Sequence, residues 1–100
     1  MKIDVTKNLM SFDGTLLKDV GGKGEAVEAT IRTVLVNSLL APKEREKGTE
    51  KVQKYDLALR IYKNDEVELT SEEVTLIKSL VGELYAPLVV GQVYGLLEGK

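Results

Sequence analysis

Polar and apolar residues alternate at the start of the chain, a spacing that predicts short extended strands. Ile3 and Val5 are separated by a single polar residue, and side chains two residues apart lie on one face of a strand. Apolar runs then flank Asp13-Gly14, a dipeptide typical of a tight hairpin turn because glycine tolerates positive φ. We therefore predict an N-terminal β-hairpin or extended segment over residues 1–20.

From residue 30 onward the apolar positions follow helical spacing. Thr30 is a suitable N-cap, and Pro42 ends the pattern because the residue before a proline disfavours helical geometry. These two signals predict a first helix from Thr30 to about Ala41. Val36 and Leu40 widen its apolar arc, so we expect this helix to be central. Its expected core face consists of Ile31, Val34, Leu35, Ser38 and Leu39.

A second helix is predicted from about Glu50 to Lys63, and a stripe with offsets of three and four marks its apolar face. Tyrosine combines an apolar ring with a polar tip, which suits either the edge of a core or an interface. We interpret Tyr55 and Tyr62 first as core residues and second as a partner-facing edge. The stripe consists of Val52, Tyr55, Leu59 and Tyr62, extended by Ala58 and Ile61.

Two further helices are predicted after a short extended piece at residues 66–69. Thr70 followed by Glu73 forms a capping box, a clear signal for a helix start. Pro87 suits the first turn of the last helix, where a missing N–H costs nothing. The expected buried faces are Val74, Ile77, Leu80, Val81 and Leu84 on the third helix, and Val89, Val90, Val93, Tyr94 and Leu97 on the last.

These elements predict one α+β domain, mainly α, in which the N-terminal hairpin or extended segment is followed by three or four packed helices. The domain is expected to span residues 1–100, with residues 30–98 helical. The glycine-rich segment 21–24 is interpreted as a flexible loop. It does not match a phosphate-binding loop, because Gly24 stands where that pattern needs serine or threonine after the lysine.

Composition removes most catalytic chemistry. The chain contains no cysteine and no histidine, so thiolate nucleophiles, the commonest general base and the commonest transition-metal ligand are absent. We therefore expect no enzyme activity, no cofactor and no metal site. No stretch approaches the roughly 18–20 apolar residues of a membrane span, and we expect no membrane association.

Charge suggests two alternative sites. The acidic residues between 65 and 73 could bind a hard cation, but their spacing fails the calcium-loop pattern, and acids commonly gather at helix N-termini. Residues 43–54 carry five basic and three acidic side chains, which leaves a small nucleic-acid-binding regulator as an alternative function. The net charge of −2 argues against nucleic acid as the partner, because such binding depends on neutralising phosphates.

The last helix and the tyrosine before it hold the candidate interface residues. Gly91 and Gly95 are one helical turn apart, and small residues at that spacing allow another helix to approach closely. Tyr85 and Tyr94 add rings with polar tips. We select Tyr85, Gly91, Tyr94 and Gly95 as possible contacts with a protein partner or with a second copy of the chain.

Several stretches of the chain resemble small proteins encoded by tailed bacteriophages and prophages. They are Thr-Val-Leu-Val-Asn-Ser-Leu-Leu at 33–40, Tyr-Asp-Leu-Ala-Leu-Arg-Ile-Tyr at 55–62, Glu-Val-Glu-Leu-Thr at 66–70 and Leu-Val-Val-Gly-Gln-Val-Tyr at 88–94. The resemblance implies a structural or assembly role, similar to that of small helical tail-assembly chaperones. We therefore expect a non-enzymatic protein-interaction or assembly protein, encoded by a phage or prophage and located in the cytoplasm of a bacterial host.

Overall fold

The computed structural model describes residues 1–15, 18–20, 26–28 and 30–99, with the backbone alone for 18–20 and 26–28. Four helices and four short strands lie within these ranges, so the expected α+β fold, mainly α, is confirmed. Their order is β1 (Lys2–Asp4), β2 (Lys18–Val20), β3 (Ala26–Glu28), α1 (Ile31–Leu40), α2 (Gly48–Lys63), β4 (Glu66–Glu68), α3 (Ser71–Leu84) and α4 (Pro87–Leu97).

The N-terminal strand pairs with the short strand between α2 and α3. β1 runs antiparallel to β4 with Ile3 opposite Val67, and both side chains are buried. The Val5 N–H continues the pairing by donating to the Asp65 carbonyl at 2.9 Å. The predicted extended segment is therefore present, and it is held by a distant part of the chain.

A tight turn forms at Asp13-Gly14, as the dipeptide predicts. Gly14 has a φ of +87°, and the Ser11 N–H donates to the Thr15 carbonyl at 2.8 Å. The predicted second arm of this hairpin, residues 16–17, lies outside the described residues, as does the predicted loop at 21–24. A second antiparallel pair joins β2 to β3, with Lys18 opposite Glu28.

The helix starts follow their predicted caps. The Thr30 hydroxyl accepts a hydrogen bond from the Thr33 N–H at the start of α1. The Thr70–Glu73 capping box is complete at the start of α3, with the Thr70 N–H donating to the Glu73 carboxylate at 2.9 Å. α2 begins at Gly48, two residues before the predicted start.

The core is one aliphatic cluster to which the N-terminal segment, all four helices and β4 contribute. α1 packs against α2 and α3, and α3 also packs against α4. The buried hydroxyl of Ser38 donates to the Val34 carbonyl one turn earlier at 2.8 Å. The buried apolar residues are Ile3, Val5, Leu9, Ile31, Val34, Leu35, Leu39, Leu57, Ala58, Ile61, Val67, Leu69, Ile77, Leu80, Val81, Val93 and Leu97.

The predicted apolar stripe of α2 faces outward, so its interpretation as core is wrong. Tyr55 is 58% exposed and Tyr62 is 67% exposed. Only Ala58 and Ile61, which were expected to extend the stripe, belong to the core. Leu84 was expected in the core face of α3 and is likewise exposed. The buried face of α2 consists of Lys54, Leu57, Ala58 and Ile61.

Candidate functional site: an apolar surface on helices α1 and α2

A shallow groove runs along the outer side of the α1–α2 pair. It has a volume of about 210 Å³, and its lining is aliphatic apart from two tyrosine rings. Val52 continues the same exposed stripe along α2. We refer to this surface as the α1–α2 patch, which consists of Val36, Leu40, Val52, Tyr55, Ala58, Leu59 and Tyr62.

The area of the patch falls in the range of the largest apolar patch on a typical monomeric protein. Val52 is 59% exposed, Leu40 55% and Leu59 37%, in addition to the two exposed tyrosines. From these fractions the apolar side chains present roughly 450 Å² to solvent. The largest apolar patch on a monomeric protein is typically about 300–600 Å² and is often functional. The α1–α2 patch is therefore the main candidate for a functional surface.

A buried ion pair lies on the face of α2 that packs against the core. Lys54 lies on the buried face of the helix, where its ammonium group pairs with the Glu46 carboxylate. Both side chains are less than a tenth exposed. Two buried charges are tolerated when each neutralises the other. The pair therefore links the connection between α1 and α2 to the buried face of α2.

The acidic cluster between residues 65 and 73 is divided among separate ion pairs. The Asp65 carboxylate lies 2.7 Å from Arg32, and the Glu73 carboxylate lies 2.6 Å from Arg60. Glu66 pairs with Lys2 and Glu68 pairs with the N-terminal ammonium group, both at 3.1 Å. These contacts join β1, α1 and α2 to the β4–α3 region, which is a structural role.

Glu73 combines the helix cap with one of these ion pairs. Partial burial is the largest influence on its carboxyl group and raises the pKa, since burial penalises the charged form. The Thr70 N–H and the Arg60 guanidinium act in the opposite direction, and together they hold the pKa below its ordinary value. The ionised form of Glu73 therefore stabilises the fold.

Part of the basic segment 43–54 is engaged in contacts within the chain. Lys54 is buried against Glu46, and the Lys43 ammonium group lies 4.0 Å from the Glu83 carboxylate. Acidic side chains thus partly neutralise the positive charge that the nucleic-acid hypothesis requires. No observation in the described residues favours that hypothesis over a protein partner.

Tyr94, one of the predicted interface residues, makes its polar contacts with α3. Its hydroxyl donates to the Lys78 carbonyl at 2.7 Å, and the Lys78 ammonium group lies 5.3 Å from the centre of its ring. A Cβ atom on Gly82 would lie 2.8 Å from the same hydroxyl, so this glycine makes room for the contact. Tyr94 therefore helps to pack α4 against α3.

The other predicted interface residues lie apart from the α1–α2 patch. Gly91 and Gly95 line a groove between α4 and the N-terminal segment, where a Cβ atom at either position would meet nothing within 4 Å. Gln92 fixes that segment by hydrogen bonding to the N–H and carbonyl of Met10, each at 2.8 Å. Tyr85 is half-buried and packs against the core.

Two exposed apolar features lie outside the set of predicted interface residues. Phe12, at the Asp13-Gly14 turn, is 98% exposed, and no periodic pattern surrounds it. The outer edge of α1 at Val36 and Leu40 was expected to face the interior. The sequence signal for this exposed edge was an apolar arc on α1 that is wider than one helix face. A helix that packs against the core on one side needs only a single apolar stripe, so the additional apolar residues indicate a second surface.

The residues that the structure describes form neither a metal-binding cluster of acidic side chains nor a membrane-spanning helix. No group of three or more acidic side chains lies close enough together to hold a metal ion. No helix described here is long and apolar enough to cross a membrane. Comparison of the chain with protein-family models, curated proteins and solved structures found no match.

Proposed function

We propose that this protein is a non-enzymatic interaction or assembly protein whose α1–α2 patch binds a protein partner, either a different protein or a second copy of this chain. The observation that carries the proposal is the exposure of two tyrosines and three aliphatic side chains on one continuous surface. Tyrosines are enriched where interfaces bind most strongly. Covering roughly 450 Å² of apolar surface contributes about 11 kcal/mol before the costs of association are subtracted.

The sequence resemblance supports an assembly role in a phage or prophage. The two stretches that line the groove, residues 33–40 and 55–62, are among those that resemble small proteins of tailed phages. A surface built from these stretches would serve contacts between proteins in virion or tail assembly. Location of the gene among capsid and tail genes would support this role, whereas a divergent promoter beside it would favour a regulator.

The experiment compares two lysine substitutions at exposed leucines. Leu59→Lys places a charge in the centre of the α1–α2 patch, whereas Leu84→Lys places the same charge on α3, at a residue that does not line the groove. Tagged wild type and both variants are used to capture proteins from host cells, followed by mass spectrometry. We expect wild type and Leu84→Lys to retain the same protein, or untagged copies of this chain, and Leu59→Lys to lose it.

Circular dichroism of each variant provides the control for folding. Leu84 is more exposed than Leu59, so the control substitution disturbs the core no more than the test substitution does. Equal capture by folded Leu59→Lys and wild type would contradict the assignment of the patch. Loss of capture with both variants would contradict it as well.

A further inference from the structure

The exposed stripe of α2 has a spacing that reads the same in both directions. Val52, Tyr55, Leu59 and Tyr62 are separated by three, four and three residues, the spacing of the apolar positions in a coiled coil. If a second α2 lies antiparallel against the first, Val52 meets Tyr62 of the other copy and Tyr55 meets Leu59. Each level then pairs one aromatic with one aliphatic side chain.

We propose that the α1–α2 patch binds the same patch of a second copy of this chain, giving a two-fold dimer with antiparallel α2 helices. This inference rests on the proposed function and names the partner. Two-fold dimers are the commonest oligomers, and their interfaces are made by one surface pairing with itself. Val36 and Leu40 of α1 flank the helix pair and widen the contact beyond a single stripe.

The area of the patch agrees with a dimer of this kind. Two patches together bury roughly 900 Å² of apolar surface. Homodimer interfaces are about 65% apolar, so the total including a polar rim is roughly 1,400 Å². Stable specific interfaces bury about 1,200–2,000 Å². The rim carries both signs of charge, with Lys51, Asp56 and Lys63 on the exposed surface of α2. Because the charges are mixed, the rims of two copies do not repel each other uniformly.

Sedimentation analysis over a micromolar-to-millimolar range tests for the dimer. We expect wild type and Leu84→Lys to convert from monomer to dimer as concentration rises. Leu59→Lys and the more exposed Tyr62→Lys should bind at least tenfold more weakly. A wild type that stays monomeric throughout would overturn the proposal, as would equal weakening by Leu84→Lys.

Disulfide trapping tests the antiparallel arrangement, since the chain has no cysteine of its own. Val52→Cys and Tyr62→Cys variants are mixed and oxidised. The proposed dimer brings these unlike positions together, whereas two copies of the same position lie about 15 Å apart along the helix axis, beyond the reach of a disulfide. We expect disulfides between unlike variants. A predominance of disulfides between like variants, or no disulfide, would overturn this arrangement.

The two proposals can fail separately. A monomeric wild type that still captures another protein in a Leu59-dependent manner would overturn the dimer and leave the interaction function standing. A monomeric wild type whose captured proteins are unaffected by Leu59→Lys would overturn both. A dimer lost only on substitution within the patch would support both.

Discussion

Adjacent residues on α2 should differ sharply in their effect on stability, because Ile61 is completely buried and Tyr62 is 67% exposed. Ile61→Ala removes a buried aliphatic side chain and leaves a cavity, which costs about 2–5 kcal/mol. Only about a third of the Tyr62 side chain is buried, so Tyr62→Ala loses roughly 65 Å² of buried surface. This loss costs about 1.6 kcal/mol of unfolding free energy at most. Alanine returns about 0.5 kcal/mol through its higher helix propensity. The expected net cost at Tyr62 is therefore about 1 kcal/mol or less.

Urea unfolding followed by circular dichroism measures this difference. With an unfolding slope of about 1–3 kcal/mol per molar urea, Ile61→Ala should lower the midpoint by about 0.7–5 M and Tyr62→Ala by at most about 0.3–1 M. At any one slope the shift for Ile61→Ala is at least about twice the shift for Tyr62→Ala. The titrations are run at dilutions where the midpoint no longer depends on protein concentration, so that self-association does not contribute. Equal destabilisation by the two variants would mean that the tyrosine stripe is buried, and would refute the assignment of the α1–α2 patch.

Three further predictions concern contacts elsewhere in the fold, each read from urea midpoints. Gly82→Ala should stabilise the protein by about 1 kcal/mol in a Tyr94→Phe background, because alanine has the higher helix propensity. In the wild-type background it should not stabilise, because the new methyl group displaces the Tyr94 hydroxyl. Equal changes in stability in the two backgrounds would contradict this prediction. Glu46→Gln should cost about 3–5 kcal/mol by leaving Lys54 buried without its counter-charge, and a neutral effect would contradict the buried pair. Because the pKa of Glu73 is lowered in the folded state, its contribution is present above the unfolded value of about 4.3 and is lost as pH falls through the folded value. Wild type should therefore lose more stability than Glu73→Gln between about pH 5 and pH 3, and parallel pH profiles would contradict this.

Local signals in the sequence predict most of the helical elements. The caps at Thr30 and Thr70 and the proline at 87 lie where the structure begins α1, α3 and α4. Each signal works because the groups that satisfy a helix end are only a few residues away. The partner of β1 could not be predicted in this way, because its pairing with β4 joins distant parts of the chain and depends on the packing of the helices between them.

The candidate site was harder to predict because α2 has two apolar stripes. Tyr55 and Tyr62 lie on the longer and more aromatic stripe, whereas Ala58 and Ile61 lie on the stripe that is buried. Periodicity indicates that a helix has an apolar face, but it does not show which of two adjacent apolar faces is buried in the core. The buried stripe also contains Lys54, whose acceptance in the core depends on Glu46 from outside the helix.

The pairing of β1 with β4 has a consequence for the order in which the chain folds during synthesis. Ile3 and Val5 are made before α1 and α2, yet the strand that pairs with β1 is made only after these helices. At about 5–20 residues per second, roughly 3–13 seconds separate Ile3 from Val67. During this interval the apolar side chains of the N-terminal segment lack their final cover, so the ribosome-bound chain passes through a stage in which aggregation or chaperone binding competes with folding.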